Sequence, residues 1–235
     1  MSSPVLELEG LCAGHNGLAV VRDLDLRVEP GEVVALLGPN GAGKTTTLLT
    51  VSGLLKPLAG SIRFNGESIV GARPDRLARD GLGHVPDDRG LFPGLSVAEH
   101  LELATARKDR AGIGERVGHW FPALDDLMDR RAGLLSGGEQ QMLALAQALL
   151  RNPRLLMIDE MSLGLAPIVV ENLLPTVRRV AEENACGVLL VEQHAPMALQ
   201  VADTAVMLNH GAVVASGPAS ELASDSDLLL SGYLG

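Results

Sequence analysis

One glycine-rich stretch constrains this chain more than any other: Gly38-Pro39-Asn40-Gly41-Ala42-Gly43-Lys44-Thr45-Thr46. It fits the P-loop pattern Gly-x-x-x-x-Gly-Lys-Thr, and the apolar run Val33–Leu37 directly before it is typical of a buried strand. The glycines let backbone N–H groups converge on phosphate oxygens at the positive N-terminal end of the next helix. Lys44 adds a formal charge, and Thr45 adds a hydroxyl ligand for Mg²⁺. The stretch predicts a nucleotide site made of Gly38, Asn40, Gly41, Ala42, Gly43, Lys44, Thr45 and Thr46.

Composition limits where such a protein works. With 235 residues and 46% apolar content, the chain is long enough for one large domain or two small ones. No apolar run reaches the 18 or so residues that span a bilayer, and the N-terminus Met1-Ser2-Ser3-Pro4 does not resemble a secretion signal. The net charge of −10 gives no basic footprint for nucleic acid or anionic lipid. We therefore expect a chain that stays in the cytoplasm, binds no nucleic acid and reaches a membrane only through a protein.

Two kinds of strand pattern predict an α/β fold. The continuous apolar runs Val33–Leu37, Leu155–Ile158 and Val188–Val191 are typical of parallel strands covered by helices on both faces. Short alternating strands predict an antiparallel β flap beside this core. These strands are Val5–Glu9, Leu24–Val28 and Ser61–Phe64.

A helical region interrupts the strand pattern. Ser96 and Glu99 form a capping box that opens a helix over Val97–Thr105, and Gln140–Leu150 carries a long apolar face. We therefore predict a single domain over residues 1–235. Its nucleotide-binding core with the β flap comprises residues 1–86 and 151–235, and its inserted helical subdomain comprises residues 87–150.

Two acidic residues end the second apolar run. A P-loop enzyme needs a further Mg²⁺ anchor at the end of a neighbouring strand, and Asp159 occupies that position. Glu160 comes next, where a carboxylate can orient or deprotonate the water that attacks the γ-phosphate. The pair predicts an enzyme that hydrolyses a nucleoside triphosphate with Mg²⁺; the resemblance described next implies that the nucleotide is ATP.

A second glycine motif identifies the family, in the stretch Leu135-Ser136-Gly137-Gly138-Glu139. With the P-loop upstream and Asp159-Glu160 downstream, the chain resembles the ATP-binding subunits of ABC transporters, whose signature is Leu-Ser-Gly-Gly-Gln/Glu. The resemblance implies a P-loop NTPase of the ABC ATPase type with a RecA-like parallel-sheet core. It also implies that Ser136, Gly137, Gly138 and Glu139 contact ATP held by the P-loop of a second ABC ATPase subunit, in a head-to-tail homodimer or heterodimer.

The same resemblance gives roles to three further residues. His194 matches the family's switch histidine, which senses the γ-phosphate. Asp87 falls at the Gln or Glu loop, where it reaches the metal, and His15 falls where an aromatic ring stacks on adenine. Met161 departs from the pattern, because the family usually reads Asp-Glu-Pro there, and this puts the rate of hydrolysis in doubt more than nucleotide binding.

Several segments resemble the branched-chain amino acid importers, which are related to urea and amide importers. They are Val85–Pro93, Leu135–Leu143, Ser162–Pro167, Val191–Gln193 and the C-terminal Gly232–Gly235. This implies an ATPase bound to transmembrane permease subunits at the cytoplasmic face of the membrane, with an extracytoplasmic solute-binding protein as an indirect partner. His194 departs from that subfamily, where Asn is frequent.

Three alternatives remain open at this point. The first is a soluble ABC-type ATPase uncoupled from transport, although the roughly 115 residues between Lys44 and Asp159 leave no room for the long coiled coils of DNA-repair types. The second is a P-loop kinase, which has no use for a Ser136 signature. The third is the weakly catalytic half of a heterodimer, favoured by Met161, Asp87 and His15.

Overall fold

The computed structural model of the protein describes residues 3–225. Met1 and Ser2 of the N-terminal tetrapeptide lie outside the described residues, and so does the whole C-terminal segment Gly232–Gly235.

Ten strands form two sheets in the described chain. Their bounds are β1 Leu6–His15, β2 Leu18–Val28, β3 Val33–Leu37, β4 Ala59–Phe64, β5 Glu67–Ser68, β6 Leu82–Val85, β7 Leu155–Asp159, β8 Gly187–Glu192, β9 Thr204–Asn209 and β10 Ala212–Pro218. A four-stranded antiparallel sheet has the order β2-β1-β4-β5. A six-stranded sheet has the order β10-β9-β3-β8-β7-β6, with only β10 antiparallel.

Eight α-helices flank these sheets within residues 3–225. Their bounds are α1 Lys44–Val51, α2 Pro74–Arg79, α3 Val97–Ala104, α4 Ile113–Trp120, α5 Gly137–Leu149, α6 Pro167–Asn184, α7 Ala195–Ala198 and α8 Ala219–Ser224. Ser96 caps α3 as predicted, because its side chain accepts from the Glu99 N–H while Glu99 accepts from the Ser96 N–H. Within the described chain no helix is long and apolar enough to cross a bilayer.

Side-chain alternation in the parallel strands divides the core in two. Along β3, Val33, Ala35 and Leu37 pack towards α5 and α6, whereas Val34 and Leu36 pack towards α1 and the antiparallel sheet. Both faces are covered, so a continuous apolar run is needed rather than an alternating one. This arrangement confirms the predicted α/β fold with a parallel core and an antiparallel flap.

The first hairpin is longer than the alternating pattern predicts. The predicted strand Val5–Glu9 continues as β1 to His15, and β2 begins at Leu18 rather than Leu24. The register shifts between Leu8 and Leu11, and Gly10 takes a positive φ of 56°. A β-bulge breaks the two-residue period, which therefore hides the rest of the strand in the sequence.

Candidate active site

The P-loop leaves β3 through a crowded bend at Gly38. This residue has φ +151°, and a Cβ added there would lie 2.2 Å from the Leu208 carbonyl oxygen of β9. Gly43, which precedes α1, has φ +109°, and a Cβ there would lie 2.5 Å from a methyl group of Val21. Both sites require glycine for conformation and for space. The loop therefore packs between β2 and β9 while its exposed edge at Asn40 and Gly41 faces outward.

Lys44 places a buried ammonium group at the centre of the loop. Its Nζ donates to the carbonyl oxygens of Gly38 at 2.9 Å and Pro39 at 3.2 Å. The same Nζ lies 3.2 Å from Glu160 Oε1, and the Lys44 side chain is only 3% exposed. The positive charge is therefore fixed in direction and paired with the carboxylate predicted to act on water.

Asp159 ends β7 as a buried carboxyl group. Burial raises its pKa to about 6; the neighbouring Thr45 hydroxyl opposes this shift, and the carboxylates of Glu160 and Asp87 reinforce it. Its buried Oδ1 has no hydrogen-bond partner. An orphaned carboxylate oxygen beside a hydroxyl is a donor set that suits Mg²⁺. No cluster of three His, Cys, Asp or Glu able to hold a metal occurs within residues 3–225.

Glu160 occupies a strained backbone position. Its φ is +44°, in the left-handed region that residues with a side chain rarely adopt. Its N–H donates to the Val191 carbonyl of β8 at 2.9 Å, which fixes the turn at the end of β7. Such strain is concentrated at functional sites.

A cleft of about 270 Å³ brings the predicted core residues together. It is lined by Val20, Asn40, Gly41, Gly43, Lys44, Thr45, Thr46, Asp87 and Glu160. Val20 of β2 was not foreseen from the sequence, because it reaches the cleft only through the unpredicted extension of the first hairpin.

Two predicted histidines do not line this cleft. His15 is exposed at the end of β1, where it pairs with Leu18. His194 is exposed and precedes α7. Their contacts with nucleotide therefore stay predictions.

The buried Asp159 gives a prediction about stability. In Mg²⁺-free buffer at pH 7.5, Asp159→Asn is expected to raise the free energy of unfolding by about 1–3 kcal/mol. The folded pKa of about 6 lies above the ordinary value of 3.8, so ionisation costs stability that is lost as pH rises from about 4 to 6. Urea unfolding at several pH values measures this. The exposed Asp126→Asn is the control, and a less stable Asp159→Asn at pH 7.5 would contradict the prediction.

The signature stretch forms a helix start outside the cleft. Ser136 is exposed and caps α5, since its Oγ accepts from the Glu139 N–H and its N–H donates to Glu139 Oε2 at 2.6 Å. This hydrogen bond from the Ser136 N–H holds the pKa of Glu139 below its ordinary value. A Cβ on Gly138 would lie 2.7 Å from Val169 of α6. The helix start is thus closely packed on one side, while Ser136 faces outward.

Arg89, two residues after the cleft residue Asp87, connects this part of the chain to α5. Its guanidinium donates to Gln140 Oε1 at 2.7 Å and to Gln141 Oε1 at 3.3 Å. A third, longer contact of 3.5 Å reaches the Leu163 carbonyl in the loop after Glu160. No local pattern indicates this link, because Gln140 and Gln141 lie more than 50 positions from Arg89 along the chain.

Comparison with known proteins identifies several similar chains. Residues 21–162 match the family described as ABC transporter. The high-affinity branched-chain amino acid transport ATP-binding protein BraG of Pseudomonas aeruginosa is 38% identical over 89% of this chain and 91% of its own length. A probable branched-chain amino acid transport ATP-binding protein, LivF of Archaeoglobus fulgidus, is 35% identical over 90% and 91%. A solved structure of an ATP-binding subunit of an ABC transporter is 28% identical, with a TM-score of 0.83 over 97% and 99%.

Proposed function

Because the chain belongs to the ABC transporter family, we propose that it is the ATP-hydrolysing subunit of an importer for branched-chain amino acids or a related small solute such as urea or an amide. One observation carries the proposal: the cleft joins Lys44, Thr45, Asp87 and Glu160, while the signature Ser136 faces outward elsewhere on the same chain. The similarity to the transport proteins BraG and LivF supports the solute class.

Within the cleft, each residue has a role that follows from its position. Backbone N–H groups of residues 40–46 and the Lys44 ammonium bind the phosphates at the start of α1. Thr45, Asp159 and Asp87 would hold Mg²⁺. When bound, that ion neutralises developing charge on the phosphates. Glu160 orients the attacking water and accepts its proton, and its pairing with Lys44 keeps it beside the phosphate site.

We further propose that two such subunits pair head to tail. Ser136, Gly137, Gly138 and Glu139 lie at the N-terminal end of α5, where a helix attracts anions, yet Ser136 does not line the cleft of its own subunit. Ser136 can therefore meet a γ-phosphate only when a second ABC ATPase subunit presents it. ATP bound between two such surfaces would hold the dimer together.

A second groove supports docking to transmembrane permease subunits. It has a volume of about 430 Å³ and three large, exposed apolar side chains along it: Leu54, Phe92 and Leu103, each close to 60% exposed. The segment 85–90 borders both surfaces, since Asp87 lines the cleft while Val85, Pro86, Arg89 and Gly90 line the groove. Movement of this segment and of the helical subdomain, residues 87–150, would carry the effect of ATP to the membrane. The subunit then sits at the cytoplasmic face of the membrane, and a solute-binding protein acts outside.

At the end of β8, we propose that His194 senses the γ-phosphate, as its family position implies. Val191 packs on the α1 side of the sheet, and Glu192 points to the other side, where it bonds Ser162. Gln193 and His194 follow beyond the end of the strand, where Gln193 is half-buried and His194 is exposed. We expect His194→Ala to lower kcat about 10-fold or more and Gln193→Ala to change it less than about 3-fold. Steady-state ATPase assays on both variants test this, and the reverse order would assign the role to Gln193.

Affinity capture tests the proposed function as a whole. The Glu160→Gln protein, with ATP and Mg²⁺, is incubated with detergent-solubilised membranes of the source organism, and the bound proteins are identified by mass spectrometry. We expect multi-span membrane proteins and a second ATPase subunit of the same family. Adding Phe92→Ser should remove the membrane proteins, whereas Leu134→Ser, equally exposed but outside the groove, should retain them. Recovery of ribosomal or DNA-bound proteins alone would indicate a soluble ATPase.

A further inference from the structure

Glu192 is a buried acidic residue that the steps above do not use. It ends β8, is 2% exposed and points away from the P-loop side of the sheet. Both of its carboxylate oxygens are occupied by one residue: the Ser162 N–H donates to Oε1 at 3.0 Å, and the Ser162 hydroxyl donates to Oε2 at 2.6 Å. Burial raises the pKa of Glu192, while these two hydrogen bonds from Ser162 oppose that shift. A buried carboxylate with two donors from one residue is a specific clamp.

The clamped residue lies two positions after Glu160. Between them is Met161, which is 1% exposed and packs in the core with α5 and α6. Its N–H makes no hydrogen bond to any residue that the structure describes. A proline at this position would restrict φ by its ring, but methionine leaves it free. The turn that carries Glu160 at φ +44° must therefore be held by other contacts.

Lys44 pairs with Glu160, Arg89 contacts the Leu163 carbonyl, and the Leu165 N–H donates to the Ser162 carbonyl. Three further contacts hold the turn itself. The Glu160 N–H donates to the Val191 carbonyl, the Leu163 N–H donates to the Glu160 carbonyl, and Ser162 is bound by Glu192. The first is a backbone contact to β8, and the second lies within the turn. Only the third joins the turn to β8 through a side chain, so it is the contact that substitution can remove selectively.

We propose that Glu192 is a positioning residue for ATP hydrolysis: by holding Ser162 through both oxygens, it keeps Glu160 in its left-handed conformation and aimed into the cleft. The inference deepens the proposed function and rests on it. Without the clamp, Ser162 loses its connection to β8, and Glu160 relaxes towards ordinary backbone angles. A displacement of about 1 Å at a catalytic group costs up to about 100-fold in rate. The backbone N–H groups that bind phosphate lie in the loop between β3 and α1 and at the start of α1, none of which contacts the Ser162 clamp.

Paired variants separate positioning from simple loss of structure. Glu192→Leu removes both acceptors at similar volume, and Glu192→Gln retains an acceptor for the Ser162 N–H and a donor for its hydroxyl. We expect Glu192→Leu to lower kcat about 10-fold or more with the Kd for ATP within about 3-fold of the unmodified protein. Glu192→Gln should recover kcat to within about 3-fold. Ser162→Ala, a smaller change, should lower kcat and leave Kd unchanged.

The measurements are steady-state kcat, Kd for a fluorescent ATP analogue, and the urea midpoint of each variant. If Glu192→Leu keeps full kcat, or if kcat and Kd weaken together in Ser162→Ala, the positioning role is wrong. Should Glu192→Leu fail to fold, Ser162→Ala and Glu192→Gln still decide the question. An unmodified protein that does not hydrolyse ATP would instead count against the proposed function, which keeps the two failures distinct.

Discussion

Replacing Glu160 by Gln is expected to lower kcat for ATP hydrolysis by about 10²–10⁴-fold and to leave ATP binding intact. The amide has nearly the same size as the carboxylate, and its oxygen can still accept from Lys44 Nζ, which lies 3.2 Å from Glu160 Oε1. It cannot accept a proton from the attacking water. Chemistry is therefore lost while the shape of the cleft is kept.

The same substitution should favour the ATP-bound dimer. Removing one negative charge beside the phosphate site reduces repulsion of ATP, and blocking hydrolysis prevents the dimer from reopening. Single-turnover hydrolysis, ATP affinity and size-exclusion chromatography with ATP and Mg²⁺ measure the three effects. Glu182→Gln on the exposed face of α6 is the matched control. A Glu160→Gln protein that hydrolyses ATP within about 3-fold of the unmodified rate would show that another group activates water.

Replacing Gly38 by Ala is expected to destabilise the protein by about 3–5 kcal/mol and to abolish nucleotide binding. The new Cβ would lie 2.2 Å from the Leu208 carbonyl oxygen and 3.1 Å from Ala42 Cβ, and the backbone has φ +151°. The first obstacle is main chain in β9 and cannot rotate away. Either the P-loop or β9 must move. Movement of the P-loop displaces the phosphate-binding groups, and movement of β9 disturbs its pairing with β3.

Other glycines in the chain provide graded controls. Gly41 in the same loop has φ +81° but open space around its Cβ position, so Gly41→Ala adds backbone strain alone, about 1 kcal/mol. Gly114 in α4 has neither obstacle, and Gly114→Ala should stabilise by about 0.5 kcal/mol. Urea unfolding and ATP affinity of the three variants are the measurements. Equal effects at Gly38 and Gly41 would show that crowding by Leu208 is unimportant.

Local sequence was sufficient for much of the fold. The apolar runs of β3, β7 and β8 predict a parallel core because each strand is covered on both faces. The positions of Lys44, Thr45, Asp159 and Glu160 follow from this core, since parallel strands end at the same edge of the sheet. Their proximity could therefore be anticipated from residue order alone, although their roles remain proposals.

The contacts that the sequence did not reveal are long-range. Arg89 meets Gln140, and Glu192 clamps Ser162, across 51 and 30 positions respectively. No local pattern encodes such pairs, because each depends on how loops after different strands meet. His15 and His194 were predicted from family positions alone; both are exposed and lie outside the cleft of a single subunit, so their roles stay predictions.

Residues 85–90 form a thin wall between the cleft and the exposed groove. A substitution that alters this segment on the groove side also alters it on the cleft side. We therefore expect the segment to tolerate few substitutions. Leu54, Phe92 and Leu103 lie in the groove alone. Grafting those three side chains from a relative, with the wall left untouched, is therefore the economical route to re-pairing this ATPase with a foreign membrane protein while its hydrolytic chemistry stays as it is.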